Sequence, residues 1–236
     1  MPSQNVTAII AAGGLGKRFG HRIKKQFLEL NGQPILYYSL NRFEECELVS
    51  DIILVLPEDE IDEYTTKIRK AGRFNKIKDI VPGGQHRQDS VYNAIQVISE
   101  ETDILVVHDA ARPLISINLI ESTINEAVNQ GCAICAVRVR DTIKKSGLYN
   151  SHVESTLDRE SLYLAQTPQA FRYEIIKKAF DDAIANNFLG TDESSLVERI
   201  GYRPSIVPGS QFNIKITEQA DIKLAKTYLE VVKCIE

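Results

Sequence analysis

Four short apolar runs, at 6–11 (VTAIIA), 52–56 (IILVL), 104–107 (ILVV) and 133–139 (AICAVRV), have the near-continuous hydrophobicity of strands buried on both faces. Longer stretches between them repeat apolar residues every three or four positions. Ile117, Ile120, Ile124 and Ala127 make one such stripe, and Gly131 follows where a helix favours a left-handed terminal residue. Ile222, Ala225, Leu229 and Val232 make another. Buried strands alternating with amphipathic helices predict an α/β fold with a mostly parallel, twisted sheet covered on both faces. A hydrophobic content of 43% is enough for one core, and no repeat, linker or low-complexity tract divides the 236 residues, so 1–236 is expected to be a single domain. Residues 141–160 break the pattern. Turn signals at Ser146-Gly147 and Tyr149-Asn150 between short alternating segments predict a projecting β-hairpin arm, which would need a partner to cover it and so points to a homodimer.

Charge and cysteine content narrow the partners. With 28 Lys plus Arg against 32 Asp plus Glu, the net charge of −4 argues against a nucleic-acid binder. No stretch approaches the roughly 18 apolar residues of a membrane span, and the N-terminus lacks a basic leader, so neither membrane insertion nor export is expected. Four cysteines are too few for a disulfide scaffold, and a reducing, cytoplasmic setting fits them. Cys132 and Cys135 are spaced as C-x-x-C but lie inside an apolar run, which predicts buried thiols rather than a zinc or redox pair.

Directly after the first apolar run comes Ala12-Gly13-Gly14-Leu15-Gly16-Lys17-Arg18-Phe19-Gly20, with Lys24-Lys25 close behind. Glycines bring backbone N–H groups close to a ligand while Lys and Arg supply countercharge, a combination suited to polyphosphate. A dinucleotide fingerprint begun at Gly14 and Gly16 would need Gly or Ala where Phe19 stands. A Walker A loop ending in Gly16-Lys17 would need Ser or Thr in place of Arg18 and Gly in place of Ala11. Both readings fail. The loop instead resembles the signature of sugar-phosphate nucleotidyltransferases.

Further motifs follow in order: Gly83-Gly84-Gln85-His86-Arg87-Gln88-Asp89-Ser90, His108-Asp109-Ala110-Ala111-Arg112-Pro113, Asp141-Thr142, Asp158-Arg159, Gln166-Thr167-Pro168-Gln169, Thr191-Asp192 and Asn213-Ile214-Lys215. Together these resemble the 2-C-methyl-D-erythritol 4-phosphate cytidylyltransferases over about residues 7–230. The resemblance implies a Rossmann-like nucleotidyltransferase domain and a Mg²⁺-dependent transfer from CTP to a polyol phosphate. It places Arg18, Lys25 and Lys215 on the reacting phosphates. Ala12, Gly13, Gly14, Gly16, Gly84 and Ser90 would bind the nucleotide. Asp109, Arg112, Thr142, Arg159, Thr167 and Thr191 would bind the acceptor, with Asp109 also at the metal and Arg159 reaching into the neighbouring subunit. The alternatives are a ribitol 5-phosphate cytidylyltransferase and a catalytically silent nucleotide-binding protein.

Plain structural readings stand beside these. Lys17 and Lys24 read as solvated surface charges, Asp109 could cap a turn and pair with Arg112, and Arg159 could pair with Asp158 or Glu160. Arg87, at the apparent start of a helix, suits a structural or a ligand role equally. The family pattern has proline where this chain has Lys24, which predicts a looser setting for Lys25. Gly13 for alanine and Phe19 for methionine read as small packing changes, while Arg138 and Arg140 put two cations where the family is apolar, with consequences for acceptor selectivity.

Overall fold

A computed structural model of the chain describes residues 4–14, 24–147 and 152–235, with side chains as far as Val231. In chain order the strands are β1 (Val6–Ala11), β2 (Glu29–Leu30), β3 (Gln33–Pro34), β4 (Asp51–Leu56), β5 (Ile77–Pro82), β6 (Ile104–Asp109), β7 (Cys132–Arg138), β8 (Lys144–Ser146), β9 (Val153–Thr156), β10 (Tyr163–Arg172) and β11 (Ser205–Pro208). The helices are α1 (Ile35–Glu45), α2 (Ile61–Ala71), α3 (Arg87–Ile95), α4 (Ile117–Gln130), α5 (Tyr173–Ala185), α6 (Glu193–Arg199) and α7 (Gln219–Ile235). A seven-stranded sheet has the order β11-β7-β10-β6-β1-β4-β5. Its strand pairs are parallel except where β10 runs antiparallel between β6 and β7.

The period-2 alternation of the central strands divides the core. Ala8, Ile10, Ile52, Leu54 and Val106 pack with α1, α2 and α4. Ile9, Ile53, Val55, Leu105 and Val107 pack with α3, α5 and α6 on the other face. All four apolar runs form strands, and both helical stripes form helices. The α4 helix ends at Gly131 with φ of 91°, and Ala225 of α7 is fully buried. Cys46, Cys132 and Cys135 are free and buried, and burial pushes the Cys135 thiol up to about 12. Among the described residues no helix is long and apolar enough to cross a membrane.

Three sheet strands carry too little apolar signal to be read from sequence. On β5, at the sheet edge, only Val81 is buried, and on β11, at the other edge, only Val207. The centre of β10 is polar, yet Gln166, Thr167 and Gln169 are buried. Their polar atoms find partners inside the fold: Gln166 Nε2 donates to the Ser210 carbonyl at 2.9 Å, and Gln169 Nε2 donates to Asp192 Oδ2 at 2.8 Å. Pro168 is tolerated because it falls at a register break between Ala165 and Gln169.

The arm forms as expected over its described part. Strands β8 and β9 pair antiparallel, and every residue in them is exposed. The Tyr149-Asn150 turn lies outside the described residues. Arg138 is engaged by its own chain, with its guanidinium over the Tyr163 ring and Nη1 donating to the Glu160 carbonyl at 2.9 Å. It fastens the point where the arm rejoins the sheet.

Candidate active site

Strands β1 and β6 end side by side, with Ala11 opposite Asp109. Beyond them the Ala12 N–H donates to the Val55 carbonyl at 3.0 Å, and the Gly83 N–H to the Leu56 carbonyl at 2.8 Å. The carboxyl ends of four parallel strands therefore share one rim, the usual ligand position in open α/β sheets. Backbones crowd there: a Cβ on Gly13 would lie 2.9 Å from the Gly83 Cα. Two turns can approach this closely only because both present glycine.

The rim opens into a cavity of about 340 Å³ lined by Ala12, Gly13, Gly14, Lys25, Gly84, Ser90, Asp109 and Lys215, with Gln26 and Arg87 beside them. The Ser90 hydroxyl holds the turn before α3, accepting the Gly84 N–H and donating to the His86 carbonyl, each at 3.0 Å. Helix α3 thus begins at the cavity wall. Lys25 and Lys215, far apart in sequence, meet here. Lys25 Nζ donates to the Ile216 carbonyl at 3.3 Å, and Lys215 Nζ lies 2.6 Å from Asp109 Oδ2.

Asp109 is the centre of a chain of alternating charges. Its Oδ1 accepts from Arg87 Nε at 2.8 Å while Lys215 holds Oδ2. Arg87 Nη1 also bonds both oxygens of Glu193, at 2.6 and 2.7 Å. Burial alone would raise the Asp109 pKa, but Arg87 and Lys215 outweigh it and hold the carboxyl well below the usual range. Glu193, whose side chain is 1% exposed, moves up because burial outweighs Arg87. Arg87 therefore links two buried carboxylates while also lining the cavity, so its structural role is evident and its ligand reading stays open.

The sequence profile of the 2-C-methyl-D-erythritol 4-phosphate cytidylyltransferase family matches residues 6–231. The chain belongs to this family. It is 40% identical over 225 residues to a relative of that name from Syntrophus aciditrophicus, covering 95% of this chain and 96% of the relative. The Geobacillus kaustophilus relative of the same name is 43% identical over 226 residues, covering 95% and 97%. Among solved structures, 4-diphosphocytidyl-2C-methyl-D-erythritol synthase from Anaerococcus prevotii superposes with a TM-score of 0.85 at 30% identity, covering 97% of each chain. The cytidylyltransferase from Francisella tularensis gives 0.78 at 34%, covering 96% of this chain and all of that one. The Rossmann-like nucleotidyltransferase fold is thus the family's own.

Arg18, Gly16 and Lys17 lie outside the described residues. Among the described residues, not every one marked by the family motifs reaches the cavity. Thr167 is buried beneath the lining, where its Oγ1 accepts the Asp109 N–H at 3.0 Å. Burial holds His108 neutral, with its pKa down at about 4. Its Nε2 faces the Arg112 carbonyl at 3.2 Å and must donate, so Nδ1 accepts the Thr167 hydroxyl proton at 3.1 Å. The Thr167 hydroxyl is therefore committed to positioning Asp109. Arg112 donates to the Asn213 and Ala165 carbonyls at 2.8 and 3.4 Å, tying the Lys215 segment to β10 rather than pairing with Asp109.

Thr142 is exposed on the connection to the arm. Arg159, also exposed, donates to the Arg140 carbonyl at 3.0 Å rather than pairing with Asp158 or Glu160. Thr191 lines a smaller neighbouring hollow of about 130 Å³ with Arg87 and Glu193. The strand-like run 212–217 is irregular. Its hydrogen bonds go elsewhere: Ile216 N–H to the Ala111 carbonyl at 2.8 Å, and Thr217 N–H to Asp221 Oδ2 at 2.7 Å.

Several residues receive no role from sequence, although Gln166 and Asn213 stand in the motifs noted above. Gln26, 2% exposed, donates from Nε2 to the Ala12 and Gly14 carbonyls at 2.6 and 3.0 Å and so fixes the start of the glycine-rich turn. Asn213, fully buried, donates to the Thr167 carbonyl at 2.9 Å. Glu193 and Gln166 complete the polar floor.

As for Mg²⁺, among the described residues Asp109 is the sole acidic one lining the cavity, and no cluster of three potential ligands occurs. One carboxylate fits a cation whose other ligands come from substrate phosphates and water, the usual arrangement for Mg²⁺ with nucleotides.

Proposed function

We propose that this chain transfers the cytidylyl group of CTP to 2-C-methyl-D-erythritol 4-phosphate, releasing pyrophosphate, within one cytidylyltransferase domain spanning 1–236. The observation that carries the reading is the meeting of Lys25, Lys215 and Asp109 in one cavity beside a glycine-rich turn. The acceptor's phosphate monoester has a second pKa of about 6, so its attacking oxygen is already deprotonated near neutral pH and no general base is required. What remains is to align two polyanions and neutralise charge at the reacting phosphorus. Lys25 and Lys215 supply that charge from the cavity wall they share, and the backbone at 12–14 and 84 fits the nucleotide. When bound, Mg²⁺ would supply positive charge to offset that of the phosphates. Asp109 would hold it, with Lys215 turned to phosphate.

The decisive measurement is pyrophosphate release with CTP, Mg²⁺ and a panel of alditol phosphates. 2-C-methyl-D-erythritol 4-phosphate should give by far the highest kcat/KM. A win for ribitol 5-phosphate would overturn the acceptor while leaving the reaction class, and no release with any acceptor would indicate a silent binding protein.

The working unit in this reading is a cytoplasmic homodimer. Its support is the exposed arm, where Val153 is 61% exposed on a two-stranded hairpin, an arrangement only marginally stable alone. Buried free thiols suit a reducing compartment. Arg159 then serves the neighbouring site. Mixing inactive Lys25→Ala and Arg159→Ala chains gathers both lesions at one site of each heterodimer and frees the other. Random reassortment should restore about a quarter of wild-type activity. Exchange confirmed by mass with no recovery would place Arg159 in its own chain's site.

A further inference from the structure

We propose that Lys24 is a positioning residue for Lys25, its ion pair with Asp59 and Glu60 fixing the backbone from which Lys25 reaches the cavity. The inference rests on the role given to Lys25 above. Far from being a solvated charge, the Lys24 side chain is 14% exposed. Its ammonium sits on the Asp59 carboxylate and lies 3.1 Å from Glu60 Oε1. Those two acids occupy the turn Glu58–Glu60 between β4 and α2.

The same stretch is fastened at two further points. Phe27 stacks on Tyr64 of α2 with ring centroids 3.7 Å apart, and Gln26 is bound to the glycine-rich turn on the opposite side. Between these anchors Lys25–Phe27 makes one 3-10 turn, closed by the Phe27 N–H on the Lys24 carbonyl at 3.0 Å. Lys24 itself has φ of −66° and ψ of 139°. That φ is the value a proline ring imposes, so the ion pair and the ring are two ways of holding one conformation. The looser setting expected from Lys24 in place of proline is not what the structure shows.

A competing explanation is that Lys24 simply adds positive charge near a polyanion. Three variants separate the two. Lys24→Ala should lower kcat/KM by about fivefold, the scale of one lost pair of this kind, with an unchanged Tm. Lys24→Pro, which lacks the charge but keeps the φ, should recover at least half of the wild-type value. Asp59→Ala combined with Glu60→Ala keeps the cation and removes its partners, and should lose as much as Lys24→Ala. Charge attraction alone predicts the reverse: no rescue by proline, and a double variant at least as fast as wild type. That result, or a fully active Lys24→Ala, overturns the proposal. The double variant decides the matter if Lys24→Pro folds poorly. Lys25→Ala is measured alongside: if it too is fully active, the role of Lys25 falls, whereas an inactive Lys25→Ala with an unaffected Lys24→Ala sinks the positioning role alone.

Discussion

A Lys215→Ala protein should fold normally and turn over at least about a hundredfold more slowly, the scale for removing one preorganised electrostatic contact from a reacting centre. The side chain is 34% exposed and its partner Asp109 keeps Arg87, so the fold retains a satisfied carboxylate after the change. The loss should therefore fall on kcat, with Tm close to wild type. Near-normal kcat in a folded Lys215→Ala protein would remove this ammonium from the reaction. Unfolding would show instead that the Lys215–Asp109 pair is needed for structure.

Glu193→Ala should act in the opposite sense, chiefly on stability. It removes a buried carboxylate that holds both of its bonds to Arg87 Nη1 and leaves that guanidinium with Asp109 alone. Breaking one side of a buried ion pair costs about 3–5 kcal/mol. The low end applies, because the Arg87 side chain is 28% exposed and keeps its second partner. About 3 kcal/mol corresponds to a Tm lower by about 10 °C in a chain of this size. Glu193→Gln, which preserves shape but not charge, should fall between. Thermal unfolding of the three proteins checks the order, and an alanine variant as stable as wild type would mean that water replaces Glu193 at no cost.

How much of this was legible depended on where each residue's partners lie. Strands β1, β4, β6 and β7 advertise themselves because both their faces are apolar, and α4 and α7 because one face is. The β10 strand hides because Gln166, Thr167 and Gln169 are buried against groups that only the folded chain brings near, from Ser210 to Asp192. Lys25, Asp109 and Lys215 were visible through ordered motifs. Glu193 was not, since a glutamate in the first turn of a helix ordinarily reads as a match to the helix dipole. Lys24 misled for the same reason in reverse: its two acids sit more than thirty positions away, on a turn that sequence spacing does not connect to it.

The contact between Lys215 and Asp109 makes the resting cavity behave like an ion exchanger already loaded with its own counterion. Any phosphate that Lys215 is to grip competes with a carboxylate 2.6 Å away, so capture of substrate is a swap of one anion for another rather than the filling of a bare charge. In the proposed reaction the swap discounts ground-state affinity, because the grip of Lys215 on a phosphate is offset by release of Asp109. It also works at the end of the cycle. In the proposed reaction a departing anion leaves an ammonium whose partner carboxylate is tethered beside it.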